Sequence, residues 1–114
     1  FSIQIISSKY PQNFIGPAVS YITTLPATMS SEDTMAAKEL EDFYSFSQME
    51  VAVKGKIPRY FEKELENNKI YVVQEPEDEK ILSEGTANYL GVNWYCTTIV
   101  ESKPEKCNGV IFEE

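Results

Sequence analysis

Basic side chains are the residues of this sequence whose spacing is best suited to bind a charged partner. Five of them lie within MEVAVKGKIPRYFEKELENNKIYVV, and four of these are closely spaced: Lys54, Lys56, Arg59 and Lys63. We predict that they form a basic strip at a strand end and on the helix that follows it, able to contact phosphate groups or an acidic protein. The competing interpretation is an ordinary solvated helix face, whose charges are offset by Glu62, Glu64 and Glu66. Runs of charge are more often of this second kind, which is the favoured interpretation.

Aromatic side chains provide a second candidate binding surface. Trp94 and Tyr95 are neighbours in the predicted strand WYCTTIVE. Successive side chains of a regular strand point to opposite faces, so at least one of this pair points away from any single core. We predict that Trp94 and Tyr95 contribute to partner binding.

Catalytic and metal-binding groups are weakly represented. The sequence has no histidine, which removes the usual general base near neutral pH and the commonest metal ligand. The acidic stretch EPEDEK at residues 75–80 is predicted to be a solvated loop. Two cysteines without histidine cannot fill a tetrahedral zinc shell. The sequence therefore predicts no enzyme, no cofactor and no metal site.

The overall charge bears on the kind of partner. The 114 residues are enough for one domain, predicted over 1–114, and their formal net charge is −8. A uniformly acidic protein repels phosphate backbones, which disfavours nucleic acid and favours a protein partner. Apolar runs are too short to span a membrane, so no membrane partner is expected.

Cys96 and Cys107 leave the cellular compartment open. In a tight hairpin of WYCTTIVE and CNGVIFEE the two residues would lie about 13 Å apart along the ladder, too far for a disulfide. Free thiols are favoured, which in turn favours an intracellular protein over a secreted one. The alternative is a secreted binding or inhibitor domain, or an immune modulator, with a Cys96–Cys107 disulfide.

Hydrophobic periodicity predicts an α+β fold. Alternating or β-branched stretches predict strands at residues 1–8, 18–24, 49–54, 69–74, 94–101 and 107–114. Helical spacing predicts two helices, at about residues 31–44 and 57–67. This order of elements predicts a curved, mostly antiparallel sheet with an oligonucleotide-binding (OB)-like barrel as its closed form.

The stretch Met49–Val73 resembles the third strand, bridging helix and fourth strand of OB folds of the replication protein A type. The resemblance rests on a strand that ends in a polar step, a helix with Phe61 near its middle, and the entry NKIY into the next strand. Together with the acidic charge and the lack of a catalytic set of residues, it implies a small, non-enzymatic accessory subunit that makes protein–protein contacts in a larger assembly, which could be a nucleoprotein.

Overall fold

The computed structural model describes residues 2–103, in which two β-strands are accompanied by five α-helices. The strands are β1 (Ala18–Pro26) and β2 (Gly91–Val100). Helix α1 precedes β1, and the other four follow it: α1 (Ser2–Lys9), α2 (Ser31–Glu41), α3 (Ser47–Lys54), α4 (Arg59–Asn67) and α5 (Asp78–Glu84). Because α2 to α5 all lie between the strands in the sequence, they form one long helical crossover from β1 to β2.

The two strands pair in parallel. Their register runs from Ala18 opposite Gly91 to Pro26 opposite Val100, with one shift between Tyr21 and Ile22. Parallel neighbours cannot be joined by a tight hairpin and need a crossover, which here is helical. The described residues therefore form a β–α–β arrangement.

The prediction of a curved, mostly antiparallel sheet with an OB-like barrel is wrong. The strand pair between residues 2 and 103 is parallel. Whether two strands run parallel or antiparallel depends on the segment that connects them. Two of the predicted strands, 49–54 and 69–74, lie inside the helical crossover that makes this connection. The predicted strand at 107–114, and its hairpin with β2, lie outside the described residues. A single domain over 1–114 stays a prediction.

Helix α2 begins at a side-chain cap and runs on further than predicted. Ser30 caps it, since its Oγ accepts a hydrogen bond from the Asp33 backbone N–H at 3.1 Å. The helix does not end near Tyr44 as the sequence suggested. It continues through a π-helical turn at Asp42–Phe46 directly into α3.

Two predicted strands are helices. The residues 49–54 belong to α3, which ends where Gly55 adopts a left-handed conformation with φ of 67° and its N–H bonds to the Val51 carbonyl. Glycine at this position is a common helix terminator. The residues SIQIISSK form α1, in which Ile3, Gln4 and Ser7 are half-buried at helical spacing.

Helix α4 lies close to its predicted position, and its apolar residues Phe61 and Leu65 are half-buried. Phe61, near the centre of this helix, stacks on Phe43 with ring centroids 4.9 Å apart. The next predicted strand, 69–74, does not join the sheet. Lys69 lies in a turn with a φ of 56°, and Val73 is 87% exposed. A strand needs a neighbour for its backbone groups, and strand propensity alone does not supply one.

The apolar core of the described residues is small. Val19 on β1 and Ala37 on α2 are its buried hydrophobic members. Polar contacts join the same two layers, since the Thr24 hydroxyl donates to the Ala37 carbonyl at 2.7 Å. Side chains on β1 are thus held against the crossover helices partly by hydrogen bonds.

Replacing Phe61 by alanine should lower the free energy of unfolding by about 2 kcal/mol. The ring is half-buried and stacked on one partner, so it contributes less than a fully buried phenylalanine. Urea unfolding followed by circular dichroism measures the change. Phe14→Ala is the matched control, because that ring is 82% exposed and its removal should have little effect. Equal losses in the two variants would contradict the placement of Phe61.

Candidate functional site

The carboxyl ends of β1 and β2 lie side by side, because parallel strands end at the same edge of a sheet. Pro26 is paired with Val100 at this edge. The pairing continues into the loop, where the Ala27 N–H donates to the Val100 carbonyl at 2.8 Å. The loop after β1 (residues 27–30) and the segment after β2 (residues 101–103) therefore leave the sheet together.

Asp33 connects these two segments. Its carboxylate Oδ2 accepts hydrogen bonds from the Thr28 N–H at 3.0 Å and from the Thr28 hydroxyl at 2.5 Å. Its other oxygen, Oδ1, accepts from the Ser102 N–H at 2.8 Å. Asp33 is 5% exposed. One buried carboxylate in the first turn of α2 thus bonds to the loops that follow both strands.

These donors stabilise the ionised form of Asp33. The Thr28 hydroxyl, followed by the Ser102 N–H, lowers the pKa of this carboxyl below its ordinary value of 3.8, against the opposing effect of desolvation. A folded-state pKa below the unfolded value stabilises the fold above the unfolded pKa. That contribution is lost as the pH falls through the lowered value. Asp33 is therefore an anchoring acceptor near neutral pH and not a proton donor.

The predicted aromatic pair lies on β2 next to an irregularity. Trp94 is opposite Tyr21, whereas Cys96 is opposite Ile22, so Tyr95 is the extra residue of a β-bulge. Side-chain alternation does not hold across a bulge, which re-aims the neighbouring side chains. The argument that Trp94 and Tyr95 point to opposite faces therefore loses its basis.

Both aromatic side chains are accessible. Trp94 is 61% exposed and Tyr95 is 67% exposed. The indole Nε1–H of Trp94 donates to the Thr23 hydroxyl at 3.1 Å, which fixes the ring against β1. An exposed aromatic ring held by a hydrogen bond is suited to contact an apolar or ring-shaped ligand. A binding role for either residue stays a prediction.

Residues of the helical layer hydrogen-bond to β1 at Tyr21 and Ile22, where the register shifts. The Ser45 hydroxyl lies 3.2 Å from both the backbone N and the carbonyl O of Ile22. The Tyr21 hydroxyl donates to Glu41 at 2.5 Å, and this hydrogen bond to a carboxylate is the main cause that raises the pKa of Tyr21. The strand is thus anchored where its register shifts.

The predicted basic strip lies on the crossover helices. Lys54 ends α3 and pairs with Glu50 at 2.9 Å, and Arg59 begins α4 and pairs with Glu62 at 3.4 Å. Lys56 and Lys63 are exposed. Exposed pairs of this kind contribute about 0 to 1 kcal/mol each. A partner-binding role for these four residues stays a prediction.

The cysteines and the side chains that could bind a metal ion are the remaining groups with chemistry of their own. Cys96 is a free, exposed cysteine on β2, and Cys107 lies outside the described residues. Residues 2–103 contain no group of three or more His, Cys, Asp or Glu side chains that could hold a metal ion. None of the helices in that range is long and apolar enough to cross a membrane.

Sequence reasoning missed Asp33, Thr28, Ser102 and Thr23. The predicted helix at about residues 31–44 includes Asp33, but no role was assigned to this residue. Two partners of Asp33, Thr28 and Ser30, are close to it in the sequence. The third, Ser102, is 69 residues away. A signal for this contact would have required knowing that β1 and β2 are parallel neighbours.

The family model described as glycosyl hydrolase family 1 matches residues 1–113. Among curated proteins, the aryl-phospho-β-D-glucosidase BglA of Bacillus subtilis (strain 168) is 35% identical over 99 residues, which are 86% of this chain and 20% of BglA. The aryl-phospho-β-D-glucosidase BglH of the same strain is 32% identical over 96 residues, or 84% of this chain and 20% of BglH. The chain spans about a fifth of the length of these relatives.

Solved structures show the same fold. The AHE enzyme from Alicyclobacillus herbarius aligns with a TM-score of 0.76 at 21% identity, over 95% of this chain and 24% of that one. A β-glucosidase from Exiguobacterium marinum aligns with a TM-score of 0.73 at 16% identity, over 94% and 25% of the two chains. The parallel pair and its helical crossover match part of a TIM barrel, a closed ring of parallel strands surrounded by helices.

These matches overturn the functional predictions. The resemblance to an OB fold is wrong, because the chain's parallel strands match a different barrel. The predictions of a non-enzymatic binding module, whether an accessory subunit or a secreted inhibitor, are wrong because the matching family consists of hydrolases. The match over 113 residues and the identity of 35% to BglA give one conclusion. This chain belongs to glycosyl hydrolase family 1.

Proposed function

We propose that this chain forms part of an enzyme that hydrolyses aryl phospho-β-D-glucosides, and that it contributes one side of the sugar site. The proposal rests mainly on the side-by-side carboxyl ends of β1 and β2. In enzymes with this barrel, the active site is built from the loops that follow the strands. The names of the two relatives that exceed 30% identity supply the substrate class.

The chemistry of glycoside hydrolysis indicates what this chain would contribute. The reaction uses two carboxyl groups on either side of the scissile bond, one of them protonated to act as the acid. Asp33 does not fit either role, since both of its oxygens accept hydrogen bonds from Thr28 and Ser102. Catalytic residues of such barrels come from the ends of several strands. We therefore assign the catalytic pair to other strands of the barrel.

Binding of the substrate is the role that suits the described residues. Trp94 is exposed and held by Thr23, and Tyr95 is exposed at the bulge. Ligand sites are lined largely by apolar and aromatic groups, with a few polar groups that set orientation. In this proposal Trp94 and Tyr95 provide aromatic surface for the sugar or the aryl group, and the Asp33 network holds the loops at the carboxyl end of the same strand pair.

A chimera of BglA tests the proposal. The segment of BglA that matches this chain is replaced by the chain, and hydrolysis of an aryl phospho-β-glucoside is measured beside that of the unphosphorylated aryl β-glucoside. We expect the chimera to retain kcat/KM within about tenfold of BglA on the phosphorylated substrate, because such barrels tolerate sequence change that preserves loop geometry. The isolated chain should show no hydrolysis.

BglA with its own segment is the control, and the chimera's fold is checked by circular dichroism. A folded chimera that hydrolyses neither substrate would refute the proposed function. Activity confined to the unphosphorylated glucoside would keep the reaction and overturn the substrate class.

A further inference from the structure

We propose that Asp33 is a positioning residue: its carboxylate sets the position of the segment after β2 relative to the loop after β1, and so holds this part of the site's rim in one arrangement. The inference rests on the proposed function for its catalytic consequence. The hydrogen bonds on which it depends are a property of this chain and can be tested separately.

The two carboxylate oxygens of Asp33 accept hydrogen bonds from different segments, one after each strand. Oδ2 accepts two hydrogen bonds from Thr28, which is five residues earlier in the sequence. Oδ1 accepts one from Ser102, which is 69 residues later. Hydrogen bonds to an ionised acceptor are stronger than neutral ones. Removing the carboxylate therefore releases a short-range and a long-range contact together.

Asp33 is itself held in place by the loop that it organises. Its N–H donates to the Ser30 hydroxyl at 3.1 Å, and the Ser30 N–H donates to the Thr28 hydroxyl at 3.2 Å. The side chain is thus fixed by the cap of α2 before it reaches Ser102. A supporting residue needs this rigidity if it is to position others within about 0.5 Å.

A helix cap alone does not require this arrangement. Ser30 already caps α2, and the neighbouring acid Glu32 lies in the same first turn but is exposed. Asp33 differs from Glu32 in being buried and in reaching the next strand's loop. Glu32 therefore provides a matched control with the same charge and nearly the same position on the helix.

The first experiment uses the 114-residue chain and measures amide hydrogen exchange at Ser102. In Asp33→Asn the side chain keeps one acceptor oxygen and gains a donor group, so it cannot accept from both Thr28 and Ser102 as the carboxylate does. We expect exchange of the Ser102 amide to become at least about tenfold faster in Asp33→Asn. Glu32→Gln should leave it unchanged. Unchanged exchange in Asp33→Asn would overturn the inference.

The second experiment places the same substitutions in the BglA chimera and measures kcat and KM well below the melting temperature. Misplacing a site by about 1 Å can reduce the rate about 100-fold. We expect kcat/KM per folded molecule to fall about 10- to 100-fold in Asp33→Asn and to stay within about twofold in Glu32→Gln. Thr28→Val should reproduce part of the loss, and the double variant should lose less than the product of the two.

Three outcomes separate the possibilities. A lower melting temperature with unchanged kcat/KM per folded molecule would make Asp33 merely structural and overturn its positioning role. Equal losses in Asp33→Asn and Glu32→Gln would point to charge alone and overturn it as well. An inactive parent chimera would refute the proposed function, and the catalytic part of this inference with it, while hydrogen exchange at Ser102 would still decide whether Asp33 holds the second loop.

Discussion

Replacing Gly16 by alanine is expected to destabilise the strand pair by about 3 kcal/mol or more. A Cβ added at Gly16 would lie 1.5 Å from the Tyr89 carbonyl oxygen, so one of the two backbones would have to move. The segments meet here through backbone contacts, since the Asn88 N–H donates to the Ile15 carbonyl at 3.1 Å and the Gly91 N–H donates to the Pro17 carbonyl at 3.0 Å. Glycine is needed because two backbones approach closely.

Gly91→Ala is the matched control for this prediction. It lies at the start of β2, but a Cβ there would be 3.5 Å from Ala18 Cα, which is an ordinary contact. Urea unfolding of both variants measures the difference. We expect Gly91→Ala to stay within about 1 kcal/mol of the parent chain. A Gly16→Ala variant as stable as Gly91→Ala would show that the two segments do not approach as described.

Local sequence signals identified the elements that do not depend on distant partners. β1 and β2 were predicted almost at their observed positions, because their β-branched and aromatic residues favour strands. Helical spacing likewise predicted two helices from about residues 31 and 57, close to where α2 and α4 begin at Ser31 and Arg59. These signals lie within a few residues of the structure that they specify.

Misassigned segments were those whose signals were ambiguous or came from elsewhere in the fold. The run MEVAV alternates well enough to suggest a strand, yet the helix that begins at Ser31 continues through its π-helical turn into this run and ends at Gly55. The predicted strand at 49–54 ended just before Gly55, and a glycine is equally typical of a helix end. Strand direction could not be read locally, because it depends on the whole crossover from β1 to β2.

At the candidate site, too, local features could be predicted from the sequence and long-range contacts could not. Trp94 and Tyr95 were singled out because two adjacent aromatic residues in a strand are visible in the sequence. The bulge that governs their direction depends on pairing with Tyr21 and Ile22, which the sequence does not reveal. The Asp33–Ser102 contact likewise forms only after the two strands become neighbours.

Replacing Ser45 by valine is expected to lower the free energy of unfolding by about 3 kcal/mol. Ser45 is 1% exposed, in the π-helical turn, and its hydroxyl oxygen lies 3.2 Å from the Ile22 N. Ile22 is the residue at which the pairing of β1 with β2 shifts. Valine would remove the hydroxyl acceptor from that N–H and add volume at a buried position.

Ser45→Ala separates these two causes. Alanine removes the hydroxyl without adding volume, so its cost, about 1 to 3 kcal/mol, reports the lost hydrogen bonding between Ser45 and the Ile22 backbone without any effect of overpacking. Ser47→Ala is the control, because Ser47 is also buried, but its hydroxyl donates to the Phe43 carbonyl one turn earlier in the same helical stretch. Such a bond within a helix contributes little to stability. If Ser47→Ala were as costly as Ser45→Ala in urea unfolding, the hydroxyl of Ser45 would have no special role in anchoring β1. If the ranking holds, the Ser45 hydroxyl in the π-helical turn stabilises β1 at the point where its pairing with β2 changes register.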